Sequence, residues 1–271
     1  MRLQVLISTM FQTDHSLLER MNIQSDAIVI NQCDRNEFDV FEYNGHCIKW
    51  YSFAERGVGL SRNTALMRAD ADILLFADDD VTYCDGYAEK VIDFFKNNNQ
   101  ASVAVFNLES QNPARPEYID KVNHRLHSFN CLKYGAFRIA VKRESLLAAN
   151  IWFSLLFGGG TKYQAGEDNF FLTSCLKHGL KVFASCTLIG TVEQEESTWF
   201  KGYNEKYYID RGALFKAMYG KCSGFYVLLI ELRSLVRKNP YSLLKRIKLQ
   251  RIGIKKYAAQ INGIHGEEVE K

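Results

Sequence analysis

Apolar residues in this chain fall in short unbroken runs rather than in strict alternation. "LQVLIST" (3–9), "DAIVIN" (26–31), "HCIKWYS" (46–52), "DILLFA" (72–77) and "ASVAVF" (101–106) each predict a strand. Consecutive apolar positions of this kind belong to strands covered on both faces. Helical spacing appears between them, in a short amphipathic stretch around "DHSLLERM", in "SRNTALMRA" (61–69) and in "GYAEKVIDFFKN" (86–97). The alternation predicts an α/β fold with a Rossmann-like, mostly parallel central sheet flanked by helices.

Beyond residue 107 the pattern loosens. "AFRIAV" (136–141) and "LKVFAS" (180–185) predict strands, and "EDNFFLTSCLKHG" (167–179) predicts a helix closed by Gly179. The glycine-rich "FGGGTKYQAG" ahead of that helix reads as a loop. From about 203 onward only helical spacing remains. The expected organisation is a domain over 1–202, in two halves (1–106 and 107–202), followed by a basic helical extension over 203–271.

Composition narrows the function. The 271 residues are 47% hydrophobic with three prolines, which suits one large folded unit with an appendage. A net charge of +3 does not suggest a nucleic-acid partner. Seven cysteines with no C-x-x-C spacing argue against a zinc site, a redox motif or a disulfide framework. Free thiols predict a reducing, cytoplasmic setting. "MRLQVLISTM" lacks a cleavage site and reads as the first strand, and no apolar run reaches the length of a bilayer span.

Chemistry concentrates in "ILLFADDDVTYCDG" (73–86), where a buried strand runs into three aspartates. Such crowding costs free energy through repulsion and desolvation. Three readings compete. A calcium loop would use Asp78, Asp80 and Glu89, but Tyr83 stands where the turn glycine belongs. Helix capping needs one carboxylate, not three. A divalent Mn²⁺ or Mg²⁺ holding a phosphorylated ligand fits better, because Asp78 and Asp80 share one side of an extended segment while Asp79 turns away.

Two further segments fit that reading. "ERGVGLSRNTAL" (55–66) places Ser61, Arg62 and Asn63 at a helix start, with Arg62 suited to forked contact with diphosphate oxygens or to a plain surface position. "AGEDNFF" puts Glu167 and Asp168 at the opening of a helix, either as a favourable helix start or as a general base held behind a glycine-rich loop.

Together, "VLIST", "RGVGLSRNTAL", "FADDDV" and "GEDNFFL", in this order and spacing, resemble family 2 glycosyltransferases of the GT-A fold. The resemblance covers roughly 1–200. It implies inverting transfer of a sugar from a nucleotide-diphosphate donor, usually a UDP-sugar, to a glycan or lipid-linked acceptor hydroxyl. It places Asp78 toward the ribose or diphosphate, Asp80 on the metal and Asp168 as the base. It sets Ser8 and Thr9 beneath the nucleotide and Asn31 where relatives often carry a base-reading aspartate. Glu193 falls where relatives often have histidine, and Trp199 becomes a stacking platform for a sugar or a core aromatic. A metal-dependent nucleotidyltransferase is the competing enzyme, but "STMFQTD" offers no glycine or lysine for a triphosphate. A non-catalytic nucleotide- or glycan-binding relative would not need Asp168.

The C-terminal segment adds an expectation about partners. No acidic residue occurs between Leu232 and Gly266, while nine Arg and Lys do. Leu243, Leu244, Ile247 and Ile254 share one helical face, flanked by these cations. That pattern predicts either a solvated or oligomer face or docking of 233–256 on an anionic membrane surface, peripheral to the cytoplasmic leaflet. The preceding stripe of Phe225, Leu228, Leu229, Leu232, Leu235 and Val236 is expected to pack on the domain.

Overall fold

The computed structural model describes residues 1–128, 130–194, 202–234 and 239–268. The first half contains strands β1 (Leu3–Met10), β2 (Asp26–Gln32), β3 (Glu37–Tyr43), β4 (His46–Phe53), β5 (Ile73–Asp78) and β6 (Val81–Tyr83). Helices α1 (Leu17–Arg20), α2 (Val58–Arg68) and α3 (Tyr87–Asn97) connect them. The second half adds β7 (Val103–Ser110), β8 (His124–Arg125), β9 (Ile139–Lys142) and β10 (Val182–Val192), with α4 (Arg143–Ala148) and α5 (Glu167–Lys177). Three helices follow: α6 (Glu205–Tyr219), α7 (Ser223–Arg233) and α8 (Leu243–Glu268).

The strands form a single ten-stranded sheet in the order β3-β4-β2-β1-β5-β9-β7-β10-β6, with β8 beside β10. Strands β4, β2, β1 and β5 are mutually parallel, as their unbroken apolar runs require. Strand β9 enters antiparallel between β5 and β7, which makes the sheet mixed. Two apolar cores result. One packs α1 and α3 against one face through Leu17, Val91 and Phe95, and the other packs α2 and α5 against the opposite face through Leu66, Phe171 and Leu172.

Three features depart from the expected pattern. The edge hairpin β3–β4 turns through Asn44 and Gly45, both with positive φ. Its outer strand is largely exposed. Strand β10 runs on to Val192, with register irregularities against β7 between Ala184 and Gly190. The C-terminal helices differ most. On α8 the buried positions are Arg246, Leu249, Gln250, Gly253 and Tyr257, whereas Leu244, from the stripe expected to face away from the domain, is 79% exposed. Helices α6 and α8 approach backbone to backbone: a Cβ on Gly253 would stand 1.9 Å from the Ile209 carbonyl oxygen. Arg246 donates to Glu231 at 2.6 Å and Gln250 donates to it at 2.8 Å, so a polar set locks α7 onto α8.

On α7 the stripe expected to pack on the domain is split: Leu229 is partly buried, Phe225, Leu228 and Leu232 are not, and Leu235 and Val236 lie outside the described residues. Ser223, Val227 and Glu231 are buried, while Phe225, Leu228 and Leu232 point outward. Residues 205–233 form the one stretch among the described residues that meets a length and hydropathy test for crossing a bilayer. They are not one straight rod: the stretch is broken at Gly220, where α6 ends.

Candidate active site

Strands β1 and β5 are parallel and in register, with Ser8 opposite Asp78. Their carboxyl ends therefore bring Ser8 and Thr9 beside the three aspartates. The Thr9 hydroxyl donates to Asp79, so Asp79 is held back toward β1. Asp80 is fixed from the other side, because the Glu193 amide donates to its carbonyl oxygen at 3.0 Å. That contact extends the antiparallel pairing of β6 with β10, which a side chain at Gly190 would block, its Cβ falling 2.3 Å from the Thr82 carbonyl oxygen. Burial, then Asp78 and Asp79, push the Asp80 carboxyl up to about 7. Asp79 is also raised, by burial first.

Arg62 sits in the second turn of α2, which opens at Val58 rather than near Ser61. Its guanidinium donates to Asp78 at 2.7 Å, to Glu167 at 3.2 Å and to Asp168 at 3.3 Å. The side chain is 2% exposed and lies over the Phe153 ring. Burial alone would lower its pKa, but the three carboxylates outweigh that and hold the cation charged. The forked contact expected for a diphosphate is thus taken up by protein carboxylates, which correlates with the depth of Arg62 in the fold.

Asp168 occupies the first turn of α5, after Gly166 in the left-handed region. A helix start favours an anion. Burial and the adjacent Glu167 nonetheless raise the Asp168 carboxyl well above the ordinary range, against the opposing pull of Arg62. One cation facing three carboxylates leaves excess negative charge, so a proton on Asp168 is held more tightly than usual.

Two residues expected to touch the donor serve the backbone instead. Asn31 is buried, accepts from the Gln12 amide at 3.0 Å and donates to the Gln12 carbonyl at 2.9 Å and to Ser52 at 3.1 Å. It shapes the loop after β1 rather than facing a base. Asn63 donates to the Phe153 carbonyl at 2.9 Å and accepts its amide at 2.8 Å, tying α2 to the segment before the glycine-rich loop. Ser8 is buried and accepts from Ser61 at 2.9 Å. Glu193 is exposed, and Trp199 lies outside the described residues. Sequence reasoning missed Gln32, whose side chain accepts from the Gly57 amide at 2.7 Å and sets the start of α2. A polar residue ending an apolar strand was the available signal.

A cavity of about 630 Å³ opens beside Asp168. Asp168 and Glu167 stand at its α5 wall, Tyr207, Arg211 and Leu214 line it from α6, and Tyr226, Leu229, Ile230 and Arg233 line it from α7. No motif marked it, because its wall is assembled from helices whose packing the sequence concealed.

Comparison with known proteins identifies the framework. Residues 14–146 match the model of "Glycosyl transferase family 2". This segment belongs to glycosyl transferase family 2. No curated protein matches the sequence. Among solved structures, S. aureus TarS shares 13% identity at a TM-score of 0.61, over 87% of this chain and 44% of that chain. TarS 1-349 in complex with UDP-GlcNAc shares 14% identity at a TM-score of 0.62, over 96% of this chain and 92% of that one. TarS 1-349 in complex with UDP shares 13% at 0.57, over 95% and 71%. At these identities the likeness is one of fold. The chain spans less than half the length of the first of these TarS chains.

Within the family 2 segment, Asp78 and Asp80 supply only oxygen donors, which suits a hard divalent cation. Among the described residues no group of three or more metal-ligating side chains converges. The Asp80 carboxylate makes no ion pair among the described residues, and burial first, then the charges of Asp78 and Asp79, raise its pKa. The pair fits a cation that completes its shell with substrate oxygens and water.

Proposed function

We propose that the chain transfers a sugar, with inversion, from a UDP-sugar to a hydroxyl of a glycan or lipid-linked acceptor. One observation carries this reading: Arg62 joins the donor-side Asp78 and the α5 Asp168 in a single hydrogen-bonded cluster. The aspartates at the end of β5, beside Ser8 at the end of β1, lie where open α/β sheets receive nucleotides. The structures of TarS with UDP and UDP-GlcNAc support a uridine donor of the N-acetylhexosamine type.

In this reading Asp80 and Asp78 would hold Mn²⁺ or Mg²⁺, which would supply positive charge against the nucleotide diphosphate leaving group. Asp79, fixed by Thr9, and Ser8 shape the floor under the nucleotide. Asp168 takes the acceptor proton as the hydroxyl attacks the anomeric carbon from the face opposite the leaving group. The resulting bond forms in one displacement, so no residue becomes covalently attached to sugar. The cavity beside Asp168 receives the acceptor, with 203–271 acting as an extension that walls the site built by 1–202. The enzyme works at the cytoplasmic face of a membrane.

The test is release of UDP and formation of glycoside across a panel of UDP-sugars. UDP-GlcNAc turnover at a rate far above that of UDP-glucose and UDP-galactose supports the reading. No turnover of any UDP-sugar, with Mn²⁺ or Mg²⁺ present, defeats it.

A further inference from the structure

Helix α7 exposes apolar side chains on the face that a soluble helix reserves for polar ones. Phe225 is 64% exposed, Leu228 46% and Leu232 48%, and the three recur at the spacing of a single helical stripe. The buried positions of the helix include Glu231 instead. Such an apolar stripe on an otherwise well-packed protein marks a surface that meets something apolar.

The neighbouring helix supplies the charge. Lys248, Arg251, Lys255 and Lys256 of α8 are exposed and make no ion pair among the described residues. Glu231 of α7, the acidic residue that precedes them in the sequence, is buried and already taken by Arg246 and Arg211. Leu244, in the first turn of α8, is exposed as well. The Glu231–Arg246 pair, at 2.6 Å and almost fully buried, ties α7 to α8. A partner must therefore accept an apolar stripe and a cationic face presented by two joined helices.

We propose that the α7–α8 unit docks on an anionic phospholipid bilayer, with Phe225, Leu228 and Leu232 entering the interface and the α8 cations meeting the headgroups. Charge complementarity selects this occupant over a second copy of the chain, whose α8 would present the same cations. The opposite side of α7 carries Tyr226, Leu229 and Ile230 into the cavity that holds Asp168. Docking thus sets one wall of that cavity beside lipid, where a hydroxyl-bearing amphiphile can enter. That consequence rests on the glycosyltransferase reading, whereas docking itself does not.

The experiment is sedimentation of the full chain with vesicles of phosphatidylglycerol and phosphatidylcholine, compared with phosphatidylcholine alone, without nucleotide sugar. Binding is expected to the anionic vesicles and to weaken with added salt. The triple substitution Phe225→Ser, Leu228→Ser, Leu232→Ser is expected to lower vesicle affinity by about tenfold or more, the size of losing three interfacial apolar anchors. Lys248→Glu with Arg251→Glu and Lys255→Glu is expected to remove the salt-dependent part. Both variants keep the thermal midpoint and the donor turnover of wild type, since they alter exposed positions. The proposal is overturned if wild type ignores anionic vesicles, if neither variant weakens binding, or if the serine variant merely converts a dimer to a monomer. Vesicle binding in a chain that turns over no UDP-sugar would remove the functional reading and leave the docking surface standing.

Discussion

Arg62 donates to Asp168 across 3.3 Å from a position almost sealed from solvent. The same guanidinium holds Asp78, so the end of β5 and the start of α5 are fixed relative to each other by one cation. Removing that cation leaves carboxylates facing one another in a buried site. Arg62→Leu is expected to cost about 3–5 kcal/mol, the usual consequence of breaking a buried ion pair from one side. Arg62→Lys retains charge without the fork and should fold while transferring sugar more slowly. Thermal denaturation and donor turnover, measured on both variants, check this. An unchanged midpoint for Arg62→Leu would show that the cluster does not hold the site.

Asp168→Asn preserves shape and hydrogen bonding to Arg62 in part, but cannot accept a proton. Transfer should fall by about 10²- to 10⁴-fold. Affinity for UDP, measured by calorimetry, should stay near wild type because the proposed mechanism gives the side chain a role toward the acceptor and not the donor. Equal transfer rates for variant and wild type would move the base elsewhere, with Glu167 next in line.

The pH dependence follows from the direction of the Asp168 shift. Burial and Glu167 raise its pKa, so the carboxyl is protonated, and unable to act as base, over part of the range where an ordinary aspartate is ionised. The acidic limb of kcat against pH should therefore lie above the normal carboxylate range. Glu167→Gln removes a negative neighbour and should shift that limb toward lower pH. A limb at the ordinary aspartate position in wild type would contradict the assignment.

The sheet was legible in the sequence because its core strands are unbroken apolar runs, and the site was legible because crowded aspartates at a strand end have few structural uses. The edge strand around Phe38 was not read, although Asn44-Gly45 is a strong hairpin signal, because its exposed acidic and aromatic residues lack a buried face. Arg62, Asn31 and Asn63 were read as contacts to a ligand. Each instead satisfies a buried carboxylate or main-chain group, a demand that only the assembled fold creates. The C-terminal helices misled for a related reason. Glu231, Arg246 and Gln250 bury one another, so polarity marks the packed face and leucine marks the exposed one.

Asp80→Asn separates the cost of the aspartate cluster from its use. Without a bound cation, burial and then Asp78 and Asp79 push the Asp80 carboxyl up to about 7, above the ordinary carboxylate range. Its charged form is therefore disfavoured by folding, and the penalty applies above the unfolded pKa and is complete above the folded one. Asp80→Asn should raise the thermal midpoint at neutral to alkaline pH and leave it unchanged in strong acid. The same change should abolish the gain in UDP affinity on adding Mn²⁺, measured by calorimetry. Retention of that gain would show that Asp80 does not hold the cation.

Gly253→Val tests whether the helical extension is built onto the site or merely attached. The Cβ of valine would enter the Ile209 carbonyl, a main-chain atom that cannot swing aside. Helix α8 must then move off α6, which also carries Tyr207, Arg211 and Leu214 of the cavity wall. Overpacking of this kind costs about 1–3 kcal/mol, and a backbone clash falls at the upper end. The aspartates at the end of β5 are held by β1 and Arg62 rather than by the α6–α8 contact, so UDP affinity should persist while glycoside formation falls. Calorimetry with UDP and a transfer assay on the same preparation distinguish the two effects. Loss of both together would mean that α6 and α8 support the donor side as well, and that no acceptor-specific role can be given to the extension.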